Sequence, residues 1–457
     1  SLTKNHQVST VSIMEMKSFT DVVAYLEGFL NLEKKTRHYT TREYRLDRMV
    51  ALLDHVGNPQ QSFKTIHLAG SKGKGSTASF IASGLASMGY KTGLYMSPHL
   101  VDYRERFTLS GTFFSDAALV HAGNLLKTLV GDFTFSDEWG ETTPTTFELL
   151  TTFAYLLFKE EKCEWAVIET GLGGRLDATN TIRSSASVLC PIELEHTRIL
   201  GSTIKEIAFE KAKIIKAGQP VFIGLVHEEA KEVFLQECRE QHAKPFLLEE
   251  FLTGYEALTT MEGERVTLKW KNGTEDRLLL SMKGSVQAQN VALALLALRT
   301  LDLFGEQTIR ALEANTVPGR FQQVAPSLYI DGAHTPASLN ALTRSFSKLY
   351  PSKDANVVIY GALEDKDHLH MASIVLQHFN KIILSRPGTF KKSDLHKLFS
   401  IFEELKAESH STASIFLIED NSQALDKAYM LKGAGGAILV CGSFYLGGGI
   451  AEVLKRR

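Results

Sequence analysis

Residues 70–76 read Gly-Ser-Lys-Gly-Lys-Gly-Ser and could bind phosphate groups. The segment directly follows the apolar stretch Lys64–Ala69 and precedes 77–88, where apolar residues recur at helical spacing. Glycines let successive backbone N–H groups point at an anion, and a helix N-terminus adds the positive end of its dipole. Lys74 could reach terminal phosphates, and the Ser76 hydroxyl could coordinate Mg²⁺. The pattern predicts a nucleotide-binding loop, with a plain glycine turn as the alternative.

Two further polar segments follow apolar, strand-like stretches. Residues 97–106 begin Ser-Pro-His-Leu and continue into a charged run. Residues 169–180 combine glycines with Glu169, Arg175, Asp177 and Asn180. In an open α/β sheet, ligands bind beyond the carboxyl ends of the strands, where these segments fall. Both are predicted to line a ligand site, although glycine-rich connections can also be purely structural.

Glu148 and His196 are candidate metal ligands with ordinary alternatives. Glu148 lies in the apolar, helix-like segment 147–158, where it could equally be a solvated position. His196 follows the strand-like stretch ending at Cys190 and could be a surface histidine. Mg²⁺ prefers oxygen ligands and makes few protein contacts, so no spacing rule identifies its site. These residues alone leave the metal role open.

The elements that must position these residues alternate between apolar strands and amphipathic helices, which predicts parallel sheets with crossover helices. An Asn-Gly pair at 272–273 predicts one antiparallel hairpin between 265–270 and 277–282. A second α/β series begins after Pro318-Gly319, so we expect domains at 1–316 and 317–457. The other predicted strands are 92–96, 165–170, 187–190, 220–224, 328–330, 356–360, 381–384, 414–418 and 437–441.

Composition excludes several classes of protein. The chain has 457 residues and a formal net charge of −2, which excludes nucleic-acid binding through bulk positive charge. Its 44% hydrophobic content excludes disorder as the main state. Four widely spaced cysteines fit neither a zinc site nor a disulfide framework, and instead indicate a reducing compartment. The uncharged stretch 433–451 contains seven glycines, and 1–19 has no signal-peptide core, so a cytoplasmic protein without a membrane span is expected.

Taken in order, the motifs resemble the folylpolyglutamate synthase / dihydrofolate synthase family of the Mur-ligase superfamily. The matching segments are 57–60, 67–76, 95–100, 169–180, 195–201, 207–212, 318–320, 331–334, 361–367 and 441–446. The resemblance implies a P-loop ATPase domain with a mostly parallel sheet and a smaller Rossmann-like C-terminal α/β domain. It also implies that ATP activates a folate or pteroate carboxylate as an acyl phosphate, which L-glutamate then attacks, releasing ADP and phosphate.

The same resemblance implies roles for individual residues. Catalytic roles fall to Lys74, Lys211 and His334. Nucleotide contacts fall to Gly73, Lys74, Gly75, Ser76, Asn290, Arg320 and Asp331. Magnesium ligation falls to Ser97, Glu148 and His196. Substrate contacts fall to Arg104, Gly173, Gly174, Arg175 and Asp177. The family carries the lysine matching Lys211 as a carbamate, whereas the residues alone favour an ordinary surface lysine on a helix.

Five positions depart from the family pattern. Lys72 and Thr335 replace Asn, Glu195 replaces Asp, Val286 replaces His, and Arg45 replaces Gly. Lys72 is expected to add positive charge beside the phosphates. ATP and magnesium chemistry is expected to be intact, whereas the acceptor stays open between tetrahydrofolate polyglutamylation, dihydrofolate synthesis from dihydropteroate, and both. The alternatives are a Mur-type ligase with another acid acceptor and a catalytically silent ATP-binding homologue. A monomer without nucleic-acid or membrane partners is expected.

Overall fold

The computed structural model describes residues 15–33, 44–388 and 393–457. A seven-stranded sheet occupies the N-terminal part. Its strands are β1 (Lys64–Ala69), β2 (Thr92–Tyr95), β3 (Phe107–Leu109), β4 (Trp165–Glu169), β5 (Ala186–Leu189), β6 (Pro220–Ile223) and β7 (Lys244–Leu247). They lie in the order β3-β2-β4-β1-β5-β6-β7. All neighbouring pairs run parallel except β2 and β3, as the alternating pattern predicts.

Helices cover both faces of this sheet, so the central strands are apolar on both sides. In β4, Val167 packs into one core while Ala166 and Ile168 pack into another. The helices up to residue 314 are α1 (Phe19–Glu27), α2 (Leu46–His55), α3 (Lys74–Ser87), α4 (Asp116–Val130), α5 (Thr146–Glu160), α6 (Thr197–Leu200), α7 (Ile204–Ala212), α8 (Glu228–Glu240), α9 (Leu248–Phe251), α10 (Gln287–Thr300) and α11 (Thr308–Ala314). Short 3₁₀ helices lie at Pro59–Ser62, Tyr103–Arg106, Asp137–Trp139 and Ala178–Thr181.

A small antiparallel sheet follows, built from β8 (Leu252–Thr259), β9 (Glu264–Trp270) and β10 (Glu275–Leu280). The predicted hairpin joins β9 to β10. At its tip Gly273 has φ of +83°, a left-handed conformation that favours glycine, and Trp270 N donates to Thr274 O at 3.0 Å. The Asn-Gly signal is therefore confirmed.

The C-terminal part forms a six-stranded sheet in the order β11-β12-β16-β13-β14-β15, with β11 antiparallel and the rest parallel. Helices flank it on both faces. The strands are β11 (Gln322–Ala325), β12 (Leu328–Ile330), β13 (Val357–Tyr360), β14 (Lys381–Leu384), β15 (Ser414–Leu417) and β16 (Ile438–Cys441). The helices are α12 (Pro336–Leu349), α13 (His368–His378), α14 (Leu395–Glu408), α15 (Asn421–Leu431) and α16 (Phe444–Arg456).

The α/β class, with two largely parallel sheets, is thus confirmed. The domain boundary at 316/317 stays a prediction, and it falls in the connection between α11 and β11. The glycine-containing stretch 433–451 forms β16 and the first part of α16. Across residues 15–33, 44–388 and 393–457, no helix is long and apolar enough to cross a bilayer. Residues 1–14, which make up most of the segment judged for a signal peptide, lie outside the described residues.

Candidate active site

The carboxyl ends of four adjacent strands face the C-terminal sheet across a cavity of about 410 Å³. The phosphate-loop segment follows β1, and Ser97 follows β2. Glu169 closes β4, and the segment leading to His196 follows β5. From the C-terminal part, the segment 331–335 reaches the same cavity. The sheet order therefore brings together polar residues from both halves of the chain, as expected for an open α/β sheet.

The strand, loop and helix around residues 70–76 form as predicted, with α3 beginning at Lys74. Lys74 Nζ donates to Gly70 O at 2.8 Å and lies 3.9 Å from Glu169 Oε1. Gly73 has φ of +80°, and a Cβ there would lie 2.5 Å from Asn290 Oδ1. Any side chain at this position would meet both backbone strain and Asn290. Glycine is therefore required where the loop approaches α10.

Glu169, rather than Glu148, stands at the phosphate loop. Its Oε2 accepts from Ser97 N at 3.1 Å, and a Cβ on Gly75 would lie 3.6 Å from the same oxygen. Burial raises the pKa of the Glu169 carboxyl, although Lys74 opposes that shift. The position of Glu169 at the very end of β4 was the available sequence signal for a ligand-site residue.

The prediction of Glu148 as a magnesium ligand needs correction. Its two carboxylate oxygens accept from buried Arg48, with Nε at 2.8 Å and Nη2 at 3.1 Å. The carboxylate also completes a capping box at the start of α5, accepting from Thr145 N at 2.8 Å. It does not line the cavity. Glu148, the acidic residue on an apolar helix, is therefore paired with Arg48. Burial of a carboxylate is costly unless a positive charge or hydrogen bonds compensate its charge.

Lys211 is buried, not a surface lysine. Its side chain is 2% exposed, and Nζ donates to Gly70 O at 3.0 Å and to Glu195 Oε1 at 2.9 Å. Burial lowers the pKa of Lys211, while Glu195 opposes that effect. Burial alone would raise the pKa of Glu195, but Lys211 and Lys74 outweigh it and the pKa falls to about 2. The pair anchors α7 directly beneath the phosphate loop.

His196 and His334 both line the cavity from opposite halves of the chain. His196 has φ of +47° and precedes α6, and burial lowers the pKa of its imidazole to about 4. His334 Nδ1 lies 2.7 Å from Gly332 O, and burial also lowers its pKa. Both rings are therefore neutral near pH 7, the form in which a histidine nitrogen can accept a proton or a metal ion.

Asn290, Arg320 and Asp331 also line the cavity. Asn290 Nδ2 donates to Gln287 Oε1 at 3.0 Å. The Arg320 guanidinium lies 4.6 Å from the centre of the Phe444 ring, and its buried Nε has no hydrogen-bond partner among the described residues. Asp331 accepts from Phe321 N and Ala333 N at 2.8 and 2.7 Å. Arg320 thus brings positive charge to the cavity.

The predicted substrate residues are not brought to this cavity. Asp177 is buried and accepts from the backbone N–H groups of residues 171, 172 and 179. Arg175 pairs with Glu210 at 2.9 Å, and Arg104 pairs with Asp102 at 2.6 Å. Cβ atoms on Gly173 and Gly174 would approach neighbouring atoms to 2.8 and 2.7 Å. These contacts shape the loops around the site, and substrate contact by these five residues stays a prediction.

The departures from the family pattern are distributed unevenly. Lys72, Glu195, Val286 and Thr335 line the cavity. Lys72 forms an ion pair with Glu193, so its charge is neutralised by a residue that the sequence analysis did not single out. Arg45 pairs with Asp47 and lies 5.1 Å from the centre of the Trp139 ring, outside the cavity. Lys283 and Lys366 are further cavity residues that were missed, because they come from loops distant in sequence.

Comparison with known proteins agrees with this geometry. Residues 319–444 match the family model described as Mur ligase, glutamate ligase domain. The chain is 32% identical over 421 residues to the dihydrofolate synthase/folylpolyglutamate synthase of Bacillus subtilis, covering 90% of this chain and 94% of that protein. It is 33% identical to the folylpolyglutamate synthase of Lacticaseibacillus casei, with 81% and 86% covered.

Solved structures resemble the whole chain. The folylpolyglutamate synthase of Mycobacterium tuberculosis, complexed with ADP and AMPPCP, matches with a TM-score of 0.84 at 27% identity, covering 96% of this chain and 98% of that chain. E. coli FolC, in complex with DHPP and ADP, matches with a TM-score of 0.79 at 26% identity, covering 97% and 99%. The chain therefore belongs to the folylpolyglutamate synthase / dihydrofolate synthase family, whose members are ATP-dependent amide ligases of the Mur-ligase type.

Proposed function

We propose that this protein joins L-glutamate to the carboxylate of a folate, using ATP and releasing ADP and phosphate. The observation that carries the proposal is the cavity between the two sheets, where Lys74 of the phosphate loop faces Arg320, Asp331 and His334 of the C-terminal part. The relatives whose structures hold ADP, AMPPCP and DHPP support a nucleotide site here. Tetrahydrofolate and dihydropteroate are the two acceptors proposed.

The proposed reaction has two steps. An acceptor carboxylate oxygen attacks the γ-phosphorus of ATP, the bond to the β-phosphate oxygen breaks, and ADP leaves. The neutral amine of glutamate then attacks the acyl carbon, phosphate leaves, and the amine nitrogen loses a proton. Both steps bring anions together, so fixed positive charge must offset their repulsion. Lys74 and Arg320 are the cations that would do so.

The nucleotide contacts are proposed on both sides of the cavity. Backbone N–H groups at Gly73, Gly75 and Ser76 would bind phosphate oxygens, because Gly73 is the N-cap of α3 and the other two lie in its first turn. The Arg320 guanidinium, which lines the cavity, would contact the nucleotide. Asn290 and Asp331, which line the same cavity, would contact its base and sugar. His334 would orient the amino acid near the junction.

The residues present fit Mg²⁺. Among the described residues, no group of three or more His, Cys, Asp and Glu forms a ready metal cluster. Mg²⁺ is commonly held by one or two carboxylates together with phosphate oxygens and water, so such a cluster is not required. Ser97, Glu169 and His196 are the proposed ligands, with Glu169 in place of Glu148. When bound, Mg²⁺ would neutralise phosphate charge.

Lys211 is proposed to act as a carbamate, as the family pattern implies. A buried amine with a lowered pKa more readily presents the neutral nitrogen that reacts with CO₂. The modification would place a second anion beside Glu195, at 2.9 Å in the unmodified pair. Two adjacent anions repel each other, so that arrangement would need a nearby cation. A cation at the phosphate loop would supply the compensating charge.

Both halves of the cavity come from one chain, so we propose that the protein acts as a monomer. Its four buried, free cysteines support a reducing compartment, and the cytoplasm is the proposed location. Sedimentation velocity with AMPPCP present would test the monomer. A dimer that forms only with nucleotide bound would contradict it.

The deciding experiment measures phosphate release from ATP with glutamate plus tetrahydrofolate, and separately with glutamate plus dihydropteroate. Stimulation by either acceptor, with ADP as the other product, is expected. No stimulation by either one would overturn the folate assignment. Turnover with a different acid instead would favour another Mur-type acceptor, and ATP binding without any turnover would indicate a catalytically silent protein.

A further inference from the structure

Glu193 contacts both halves of the chain at the cavity. One of its carboxylate oxygens, Oε1, forms an ion pair with Lys72 Nζ of the phosphate loop. The other oxygen, Oε2, lies 3.1 Å from Thr335 Oγ1 of the C-terminal part. Glu193 is 14% exposed at its side chain, so solvent only partly screens these contacts. A single carboxylate therefore joins the loop to the facing domain.

Thr335 makes several contacts at the start of α12. Its hydroxyl oxygen accepts from Ser338 N at 3.2 Å, which caps the N-terminus of α12. The Ser338 hydroxyl donates to Thr335 O at 3.0 Å. The Thr335 hydroxyl donates to Glu193 Oε2 at 3.1 Å and also lies 2.9 Å from Ser338 Oγ. The contact thus ties the first turn of α12 to Glu193.

The phosphate loop is also held by the backbone around Glu193. The N–H groups of Ser71 and Lys72 donate to Pro191 O at 2.9 and 3.3 Å. The Ser71 hydroxyl donates to Glu193 O at 3.1 Å. Any shift of segment 191–193 therefore moves the loop that carries Lys74. On the C-terminal side of the cavity, Thr335 follows Asp331 by four residues in the sequence, and Asp331 lines the same cavity.

We propose that Glu193 is a positioning residue that couples the phosphate loop to the docking of the C-terminal part around the nucleotide. The proposal deepens the proposed function and rests on its nucleotide site. Nucleotide contacts on both sides of the cavity require a defined distance between Lys74 and Arg320. Lys72 and Thr335, the two partners of Glu193, both line this cavity.

A double-mutant cycle in the full-length protein tests the coupling, with AMPPCP affinity measured by calorimetry. Thr335→Ala should weaken AMPPCP binding at least about threefold, and its combination with Lys72→Met should differ from the product of the single effects by at least about threefold. In a Glu193→Ala background, Thr335→Ala should change the affinity by less than about 1.5-fold. Independent, multiplying effects, or an equal effect of Thr335→Ala with and without Glu193, would overturn the proposal.

Three further variants separate positioning from folding. Ser115→Ala removes another N-cap, at α4 outside the cavity, and should leave AMPPCP affinity unchanged. Equal weakening by Ser115→Ala and Thr335→Ala would show a general loss of stability and overturn the coupling. Glu193→Gln keeps an acceptor for Thr335 but removes the ion pair with Lys72. It should therefore abolish the coupling that involves Lys72 and leave the hydrogen bond from Thr335 in place. Thr335→Asp keeps an acceptor that can cap α12 but has no proton to donate to Glu193, so it replaces the Thr335→Ala arm if that variant fails to fold.

AMPPCP binding needs no acceptor, so the cycle is independent of the folate assignment. Coupled AMPPCP binding without folate turnover would leave the role of Glu193 standing and reject the acceptor. Folate turnover, together with independent effects of the Lys72 and Thr335 substitutions on AMPPCP affinity, would support the acceptor and reject the role of Glu193. The KM for ATP should rise in Thr335→Ala, and Thr335→Ser, which keeps the hydroxyl, should restore it toward the original value.

Discussion

Lys74 Nζ lies 3.9 Å from Glu169 Oε1 while it donates to Gly70 O at 2.8 Å. This arrangement places a cation and a buried carboxylate next to each other at the phosphate loop. A triphosphate entering the cavity would compete for Lys74, and a divalent cation would compensate Glu169. Under the proposed function, Lys74 would offset phosphate charge directly, and Glu169 would do so by holding Mg²⁺.

Lys74→Met should lower kcat/KM for ATP at least about 100-fold, because the other lysine of the phosphate loop, Lys72, is paired with Glu193 and cannot replace its charge in the transition state. Initial rates of phosphate release at a series of ATP concentrations would measure kcat/KM. Lys205→Met is the matched control, since Lys205 pairs with Glu232 outside the cavity. An unchanged kcat/KM in Lys74→Met would contradict the phosphate role.

Glu169→Gln and Glu148→Gln should have opposite signatures. Glu169→Gln should raise the Mg²⁺ concentration needed for half-maximal turnover about tenfold or more, because a neutral amide binds a hard cation weakly. Glu148→Gln should leave that requirement unchanged but lower the free energy of unfolding by about 3 kcal/mol, since buried Arg48 loses its counterion. Magnesium titrations and urea unfolding distinguish them, and exchanged signatures would restore Glu148 as the ligand.

Arg320→Met should raise the KM for ATP about tenfold, the loss expected for a charge-assisted hydrogen bond. Its effect on stability should be small, because the Arg320 guanidinium is stacked on Phe444 and its Nε has no partner among the described residues. Arg299→Met provides the comparison. It breaks a pair with Asp276 at 2.7 Å and should lower the unfolding midpoint without changing the KM.

Lys211→Arg distinguishes two roles of Lys211. Arginine keeps a positive charge for Glu195 but cannot form a carbamate under these conditions. If the carbamate is required, turnover should fall at least about 100-fold while the folded state persists. Added acetate should then partly restore turnover in Lys211→Ala by supplying a carboxylate. Turnover of Lys211→Arg within about tenfold of the original would show that the ion pair alone suffices.

Sequence patterns determined the elements of this protein because their signals are local. The glycine-containing segment at 70–76 leads from β1 into the first turn of α3, and Asn-Gly forms the turn between β9 and β10. Alternation of apolar strands and amphipathic helices was sufficient for the two largely parallel sheets. The family resemblance added the reaction class, which the high-coverage relatives confirm.

Only the tertiary structure decided which polar side chains face the cavity. Glu148 is satisfied by Arg48, 100 residues away in the chain, whereas Glu169 remains at the loop. Lys211 is buried because α7 packs beneath the loop, and Lys72 is neutralised by Glu193, 121 residues distant. Partners this far apart leave no local pattern. Burial and charge compensation arise when the chain folds, so the elements could be predicted from sequence while the assignment of charges could not.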